Sequence, residues 1–357
     1  MLGIILGTRP ELIKLFPLIK KLKQTKLNFK IIHTGQHYSK NLNEIILNSF
    51  KGIKIDYSLK SGSHPHASQV SIMMQSIEKI LKKENFNKII VYGDTNSALA
   101  GALACSKIKK IKLIHIEAGL RSFENKMPEE INRIIIDHIS DYLFAPTLLA
   151  KKFLLKENIN KNKIFHTGNL ICDSINLVKP IIKKLCTYEK FNTKKNNYIL
   201  CTFHREENLK DNIRLKKIVT IMEKLSQFFQ LRVILPCHPH TKKILKKNQI
   251  KTSKRIILID PLDYFNFTCL LYNSKLIISD SGGIQEECCI LKKKMITIRT
   301  STERQETLKV GGNILIDVGS FDLQKVKNLM KKKVIWKNPY GNFDISLNMV
   351  ARLKKIK

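Results

Sequence analysis

The chain is poor in the residues that staple small proteins and poor in acid. Among 357 residues there are eight Cys, and no two stand as C-x-x-C. That sets aside a disulfide framework and the common zinc ribbons. Most of the Cys sit in apolar stretches, where a free thiol behaves as a small hydrophobe, so a reduced, cytosolic protein is expected. Gly numbers 15 and Pro 10, with no period, which excludes collagen-like and low-complexity classes. No apolar run approaches the ~18 residues of a membrane span. The opening Met1-Leu2-Gly3-Ile4-Ile5-Leu6-Gly7 lacks a basic leader and reads as a buried strand, not a secretory signal. Acidic residues number 29 against 64 basic ones, a formal charge of +35. Such a balance raises nucleic acid and acidic surfaces as partners. The lysines, however, are spread along the whole chain and form no single stripe interleaved with aromatics, which make up 7%. Solvated helix faces account for them, and neither a nucleic-acid nor a membrane partner is expected.

What the sequence has in abundance is alternation. Hydrophobic residues at 43% and charged residues at 26% suit a soluble globular protein. Short β-rich runs at Leu2–Leu6, Phe29–His33, Lys88–Tyr92, Lys112–Ile116 and Tyr142–Phe144 each lead into a helix-length amphipathic stretch. Those helices are expected near 10–24, 41–49, 67–84, 95–107 and 129–138. A second series of strands starts at Tyr198, with runs at Arg232–Leu235, Ile256–Leu258, Leu276–Ser279, Met295–Ile298 and Asn313–Ile316. Its helices are expected near 173–185, 209–228, 263–273, 283–292 and 321–331. Repeated β-α order predicts parallel sheets covered on both faces. Two series predict two doubly wound, Rossmann-like domains, 1–170 and 171–357. A last helix at about 343–355 could pack back on the first. Ligands in such folds bind beyond the carboxyl ends of the strands, so the active site is expected in the cleft between the domains.

The segments after the strands carry the chemistry. Gly7-Thr8-Arg9-Pro10-Glu11, with Lys14 one turn later, puts Arg9 beside a helix start, an anion site. It is not G-x-G-x-x-G, so a nicotinamide reading is weak. Asp94 follows the third strand, Glu117 follows the fourth, and Glu129 opens a helix that also carries Arg133. A single carboxylate in such a place is ordinarily a cap or a dipole partner. Three of them facing one cleft make a better case for acid/base work. In the second half His204 and Arg205 follow one strand, and Pro236-Cys237-His238-Pro239-His240 follows the next. The His pair lacks a ligand set at metal spacing, so no metal is expected. Ser281-Gly282-Gly283, between a strand and a helix, offers backbone N–H groups to a diphosphate, with Glu287 placed for ribose hydroxyls. Arg304 adds a guanidinium. Arginines are few on a strong lysine background, and five (Arg9, Arg121, Arg133, Arg205, Arg304) fall in these loops. That points to clamps for phosphate or carboxylate.

Taken together, GTRPE, TGQH, GDTNS, IEAGLRS, MPEEINR, DHIS, FAPT, TGN, HREEN, HPHT, DPLDY, SDSGGIQEE and TER-E resemble, in order and spacing, the non-hydrolysing UDP-N-acetylglucosamine 2-epimerases. The resemblance runs from Gly7 to about Asn313. It implies a GT-B-like fold, an isomerase without a cofactor, a UDP-sugar substrate, a cytoplasmic homodimer and a place in cell-surface polysaccharide synthesis. It also implies that Asp94, Glu117, Glu129 and His204 serve catalysis. Arg9, Lys14, Arg133, Arg205, His238, Ser281, Gly282, Gly283, Glu287 and Arg304 would bind substrate. Two departures stand out. Gln305 replaces the usual Pro, and Tyr38-Ser39-Lys40-Asn41 does not resemble the stretch with which some members bind a second, activating UDP-sugar.

The chemistry agrees with the residues. The sugar C2–H is not next to a carbonyl, so simple deprotonation is too hard. The remaining route breaks the anomeric C–O bond as a base removes the C2 proton. That leaves UDP and a 2-acetamidoglucal, which is reprotonated from the other face and re-adds UDP. Anion clamps and acid/base groups on two faces are what such a route needs. Other readings stay open at this point. They are a hydrolysing epimerase, an epimerase of a modified sugar (a 2,3-diacetamido uronate or a 6-deoxy derivative), a glycosyltransferase of the same fold, and a basic nucleic-acid-binding protein.

Overall fold

A computed structural model describes residues 1–36, 53–237 and 239–356. The helix expected near 41–49, with His37 and His238, lies outside the described residues. The chain divides into two compact units, Met1–Leu177 together with Tyr340–Lys357, and Val178–Pro339.

The first unit is built on seven parallel strands. They are β1 (Leu2–Leu6), β2 (Phe29–His33), β3 (Tyr57–Ser58), β4 (Lys88–Tyr92), β5 (Lys112–Ile116), β6 (Tyr142–Ala145) and β7 (Ile164–His166), in the order β3-β2-β1-β4-β5-β6-β7. The helices between them are α1 (Arg9–Lys23), α2 (His66–Lys83), α3 (Asn96–Ser106), α4 (Pro128–Ile139), α5 (Leu148–Lys156) and α6 (Ile171–Ile182). The central strands are short apolar runs buried on both faces; every residue of β1 is buried, as the parallel doubly wound class requires. Ile5, Ile32, Met73, Ile77, Leu81 and Val91 pack in one cluster with the alanines of α3. The small residues of that helix, Asn-Ser-Ala-Leu-Ala-Gly-Ala-Leu-Ala-Cys-Ser, leave it buried almost throughout.

The second unit repeats the plan with six strands, β8 (Tyr198–Thr202), β9 (Arg232–Pro236), β10 (Ile256–Ile259), β11 (Leu276–Ser279), β12 (Met295–Thr297) and β13 (Asn313–Leu315), in the order β10-β9-β8-β11-β12-β13. Its helices are α7 (Glu206–Lys210), α8 (Asn212–Phe229), α9 (Pro239–Lys247), α10 (Tyr264–Asn273), α11 (Gly282–Ile290), α12 (Gln305–Lys309) and α13 (Leu323–Lys331). The one helix expected over 209–228 is two. The Asp211 carboxylate accepts from the N–H of Ile213 (2.8 Å) and Arg214 (3.1 Å) and starts α8 afresh.

The closing helix α14 (Ile345–Lys355) belongs to the first unit, where it lies against α1. The Asp173 carboxylate caps it, accepting from the N–H of Ile345 (3.2 Å) and Ser346 (2.7 Å). The division between the units falls inside α6.

Strand order reverses once in each sheet, between β1 and β4 and between β8 and β11. These switch points are where open α/β sheets take their ligands. Among the described residues no helix is long and apolar enough to cross a membrane.

Candidate functional site

In the first unit the residues at the switch point are tied to one another. Gly7 leaves β1, Asp94 leaves β4 and Glu117 leaves β5, three neighbouring strands. Glu11, in the first turn of α1, accepts from the N–H of Gly7 (2.8 Å) and Thr8 (2.7 Å) and from the Thr95 hydroxyl (2.7 Å). This single buried carboxylate joins the β1 loop to the β4 loop. Burial pushes its carboxyl up, and the three donors pull the other way without cancelling it.

Glu117 is 6% exposed and sits at φ 73°, left-handed backbone that a side chain with a Cβ rarely adopts. Such a conformation costs about 1–3 kcal/mol and persists only where its surroundings hold it. They do so here. Lys14 Nζ donates to Glu117 Oε2 at 2.6 Å, the Tyr92 hydroxyl donates to the same oxygen at 2.6 Å, and the Lys14 ammonium stands 5.5 Å from the Tyr92 ring centre. Asp94, a quarter exposed, takes Arg133 Nη2 at 2.5 Å, while Asn132 Nδ2 donates to the Asp94 carbonyl at 2.8 Å. The α4 residues Asn132 and Arg133 therefore reach back over the β4 end.

Glu129 is half-buried in the first turn of α4. Its neighbour Glu130 is the structural one. It is 1% exposed and accepts from the N–H of Ser122 (3.0 Å) and Phe123 (2.9 Å) and from Arg133 Nη1 (2.5 Å). Arg9 stands half-buried at the start of α1.

The second unit is arranged differently. His204 follows β8 with its side chain 64% exposed, and its Nδ1 lies 3.2 Å from Asp280 Oδ1. Asp280 is fully buried after β11, and accepts from the N–H of His204 (3.0 Å) and Arg205 (3.0 Å) and from Asn208 Nδ2 (2.8 Å). Burial alone would raise its carboxyl; the His204 ring and these donors hold it below the usual range. Arg205 Nε donates to the Asp280 carbonyl at 3.2 Å.

Ser281 is the N-cap of α11, with Gly282 and Gly283 its first two residues. The two glycines differ. A Cβ on Gly282 would stand 2.3 Å from Glu303 Oε1, so that position is fixed by the protein's own packing. A Cβ on Gly283 would meet nothing nearer than Ser281 Oγ at 4.0 Å, so its face is open to a ligand. Glu287 is 7% exposed and accepts from the Tyr264 hydroxyl at 3.1 Å. Arg304 is 4% exposed, and its Nε lies 2.6 Å from Glu286 Oε1.

Of the two uses the sequence left open for the loop arginines, phosphate or carboxylate clamps, three are seen on carboxylates. Arg121 is 1% exposed, forked onto Glu157 (2.6 and 2.7 Å) and 2.7 Å from Asp137. Arg121, Arg133 and Arg304 all clamp carboxylates of this chain. Sequence reasoning missed Glu11, Tyr92, Asn132 and Asp280. For Asp280 a signal existed: it is the first residue after a buried strand, directly before the Ser-Gly-Gly turn.

An open, doubly wound parallel sheet with charged groups at its switch point defines a ligand-binding α/β unit, and this chain has two. The family model of UDP-N-acetylglucosamine 2-epimerase matches residues 20–354. The UDP-N-acetylglucosamine 2-epimerase of Methanocaldococcus jannaschii is 46% identical over 349 residues, covering 96% of this chain and 95% of the relative. The solved structure of the M. jannaschii enzyme in complex with UDP-GlcNAc and UDP superposes with a TM-score of 0.92 at 44% identity, over 99% of each chain. The UDP-2,3-diacetamido-2,3-dideoxy-D-glucuronate 2-epimerase of Pseudomonas aeruginosa is 38% identical, covering 87% of both chains. The fold class is α/β, with two Rossmann-like units of the GT-B-like kind. This chain belongs to the UDP-N-acetylglucosamine 2-epimerase family, a family of isomerases.

Proposed function

We propose that the protein interconverts UDP-N-acetylglucosamine and UDP-N-acetylmannosamine by elimination and re-addition of UDP. The observation that carries the reading is the pair of carboxylates after adjoining strands, Asp94 and Glu117, each clamped by a cation of its own. One base takes the C2 proton as the C1–O bond breaks. The electron pair of the C–H bond becomes the C1–C2 double bond, and the departing diphosphate carries away the electrons of the C–O bond. A proton delivered to the other face of C2, with UDP returning to C1, gives the epimer.

Asp94, Glu117, Glu129 and His204 are the acid/base set. Arg9, Lys14 and Arg133 serve the phosphate and sugar neighbourhood. The Ser281–Gly283 turn holds the diphosphate through backbone N–H groups, and Glu287 holds the ribose. Arg205, His238 and Arg304 complete the nucleotide side. His204 is held by Asp280 through Nδ1, which leaves Nε2 to face a ligand. We place the enzyme in the cytoplasm, at the start of a route to cell-surface polysaccharide, and as a homodimer. Exposed Phe123, Ile131, Ile134 and Leu148 offer apolar surface in the first unit for the dimer contact.

The test is NMR of UDP-N-acetylglucosamine with the enzyme in deuterated water, without added NAD or metal. Deuterium should enter C2 as UDP-N-acetylmannosamine accumulates to a fixed ratio. Inversion with the original proton retained rules out elimination. Release of free N-acetylmannosamine moves the enzyme to the hydrolysing group. A faster reaction with the UDP derivative of a 2,3-diacetamido uronate or of a 6-deoxy sugar in the same assay reassigns the substrate.

A further inference from the structure

We propose that His115 is a buried imidazolium, protonated on both nitrogens, that holds the two acid/base loops of the first unit in place. It stands in β5 in the run Lys-Leu-Ile-His-Ile and is 0% exposed. A buried polar ring must be satisfied at both ends, and both ends here face acceptors. Nδ1 is 2.7 Å from Asp137 Oδ1, and Nε2 is 2.8 Å from the Gly93 carbonyl. A neutral imidazole carries one N–H, and a carbonyl never donates. A neutral ring therefore leaves one of these short contacts without a proton.

The extra proton belongs on the ring and not on Asp137. Asp137 Oδ2 already accepts from the Gly119 N–H at 3.0 Å and lies 2.7 Å from Arg121 Nη1. Burial pushes that carboxyl up, but His115 and Arg121 together hold it below its usual range. Arg121 is in turn forked onto Glu157. Two cations and two carboxylates balance, which is how buried charge is tolerated.

The consequence lies in the backbone that the cluster grips. Gly93 directly precedes Asp94, His115 stands two residues before Glu117, and the Gly119 N–H lies two residues beyond it. Gly93, Glu117 and Gly119 are all left-handed, at φ 65°, 73° and 83°. The two glycines take this conformation freely, but Glu117 does not, and its backbone holds only while its surroundings over-determine it. His115 and Asp137 supply partners from both sides, so His115 is a positioning residue that touches no substrate. The proposal rests on the reading of Asp94 and Glu117 as acid/base groups.

Three measurements on the full-length protein test it. In the 15N spectrum of histidine-labelled enzyme, one ring of the ten should carry a proton on each nitrogen, as its two acceptors require. It is assigned by its loss in His115→Gln or, where that variant does not fold, by its resistance to solvent exchange. A non-protonated nitrogen on that ring overturns the imidazolium. Folded His115→Gln should lose turnover roughly 10–100-fold, the scale for removing an outer partner of a functional group, with KM little changed. Unchanged turnover overturns the positioning role. Asp94→Asn is run alongside. If it keeps near-normal turnover, the acid/base reading fails while the spectrum still reports on His115.

Discussion

The two units share one architecture and spend it on opposite kinds of electrostatics. At the switch point of the first, negative charge belongs to the protein: Glu117 and Asp94 are each fixed by a cation 2.5–2.6 Å away. At the switch point of the second, the carboxylate that ends β11, Asp280, is turned inward to its own loop. What remains outward there is backbone, an exposed imidazole and a glycine with open space before it. A site that moves protons needs carboxylates held still. A site that holds someone else's phosphate needs unspent donors. On the proposed reading turnover rests mainly on the first unit, with His204 as the second unit's contribution, and nucleotide affinity mainly on the second, and mutation should separate them.

The largest effect belongs to the first unit. Asp94→Asn and Glu117→Gln should each lower turnover by roughly 10²–10⁴-fold with UDP affinity little changed, measured as C2 exchange beside calorimetry. Loss of UDP binding in either variant would erase the division of labour. Next in size, Glu129 and Glu130 should split although adjacent. Glu130→Gln breaks a buried pair with Arg133, a change that costs about 3–5 kcal/mol, and should appear as a lower melting temperature. Glu129→Gln should melt normally and turn over slowly. If Glu129→Gln is the unstable one, the roles are reversed.

In the second unit the expected losses are smaller and fall on binding. Gly283→Val has room in the free protein, so it should melt normally and bind UDP poorly. Gly282→Val would drive a side chain into Glu303 and should lower the melting temperature as well. Glu287→Ala should weaken UDP by about 1.5–3 kcal/mol, the range for hydrogen bonds to a charged group. Normal UDP affinity in folded Gly283→Val would place the nucleotide elsewhere.

Much of this was legible in advance because parallel strands are short apolar runs closed by polar turns. Leu2–Leu6, Lys88–Tyr92 and Leu276–Ser279 carry the same bounds in sequence and structure. What was missed is local and has a reason in each case. β3 is two residues long, too short for a period. α5 is nine residues with a partly exposed apolar face, Leu148 and Leu155 outward, which blurs its pattern. β7 holds only Ile164, Phe165 and His166. The site was legible as loops but not as partners, because which carboxylate meets which cation is set by strand order. Lys14 and Glu117 lie 103 residues apart and meet only because β1, β4 and β5 are neighbours. Composition showed that lysine was abundant, not where it gathered. Lys275, Lys292, Lys293, Lys294, Lys327 and Lys331 line a groove of about 610 Å³ near the starts of β11 and β12, where burial holds Lys293 down at about 8.

The smallest expected effect tests whether the first unit's loops are held by charge or by ordinary capping. The Thr95 side chain does two things. Its oxygen accepts from the Ala98 N–H at 3.1 Å, capping α3, and its hydroxyl donates to Glu11 Oε1 at 2.7 Å. Thr95→Ala removes both. The lost cap costs about 1 kcal/mol at every pH. The lost donor acts only on ionised Glu11, whose carboxyl burial already raises above its usual value and which the Thr95 hydroxyl pulls down. Without that hydroxyl the folded-state value rises further. A group raised in the folded state contributes stability that is present below its unfolded value and is lost as pH rises through the folded one. The variant's deficit should therefore be near the capping cost at low pH and grow as pH climbs through the raised range of Glu11. Denaturant melts of both proteins across that range measure it. A deficit flat with pH would mean that Thr95 only caps, and that the link from the β4 loop to Glu11 contributes nothing to holding Asp94.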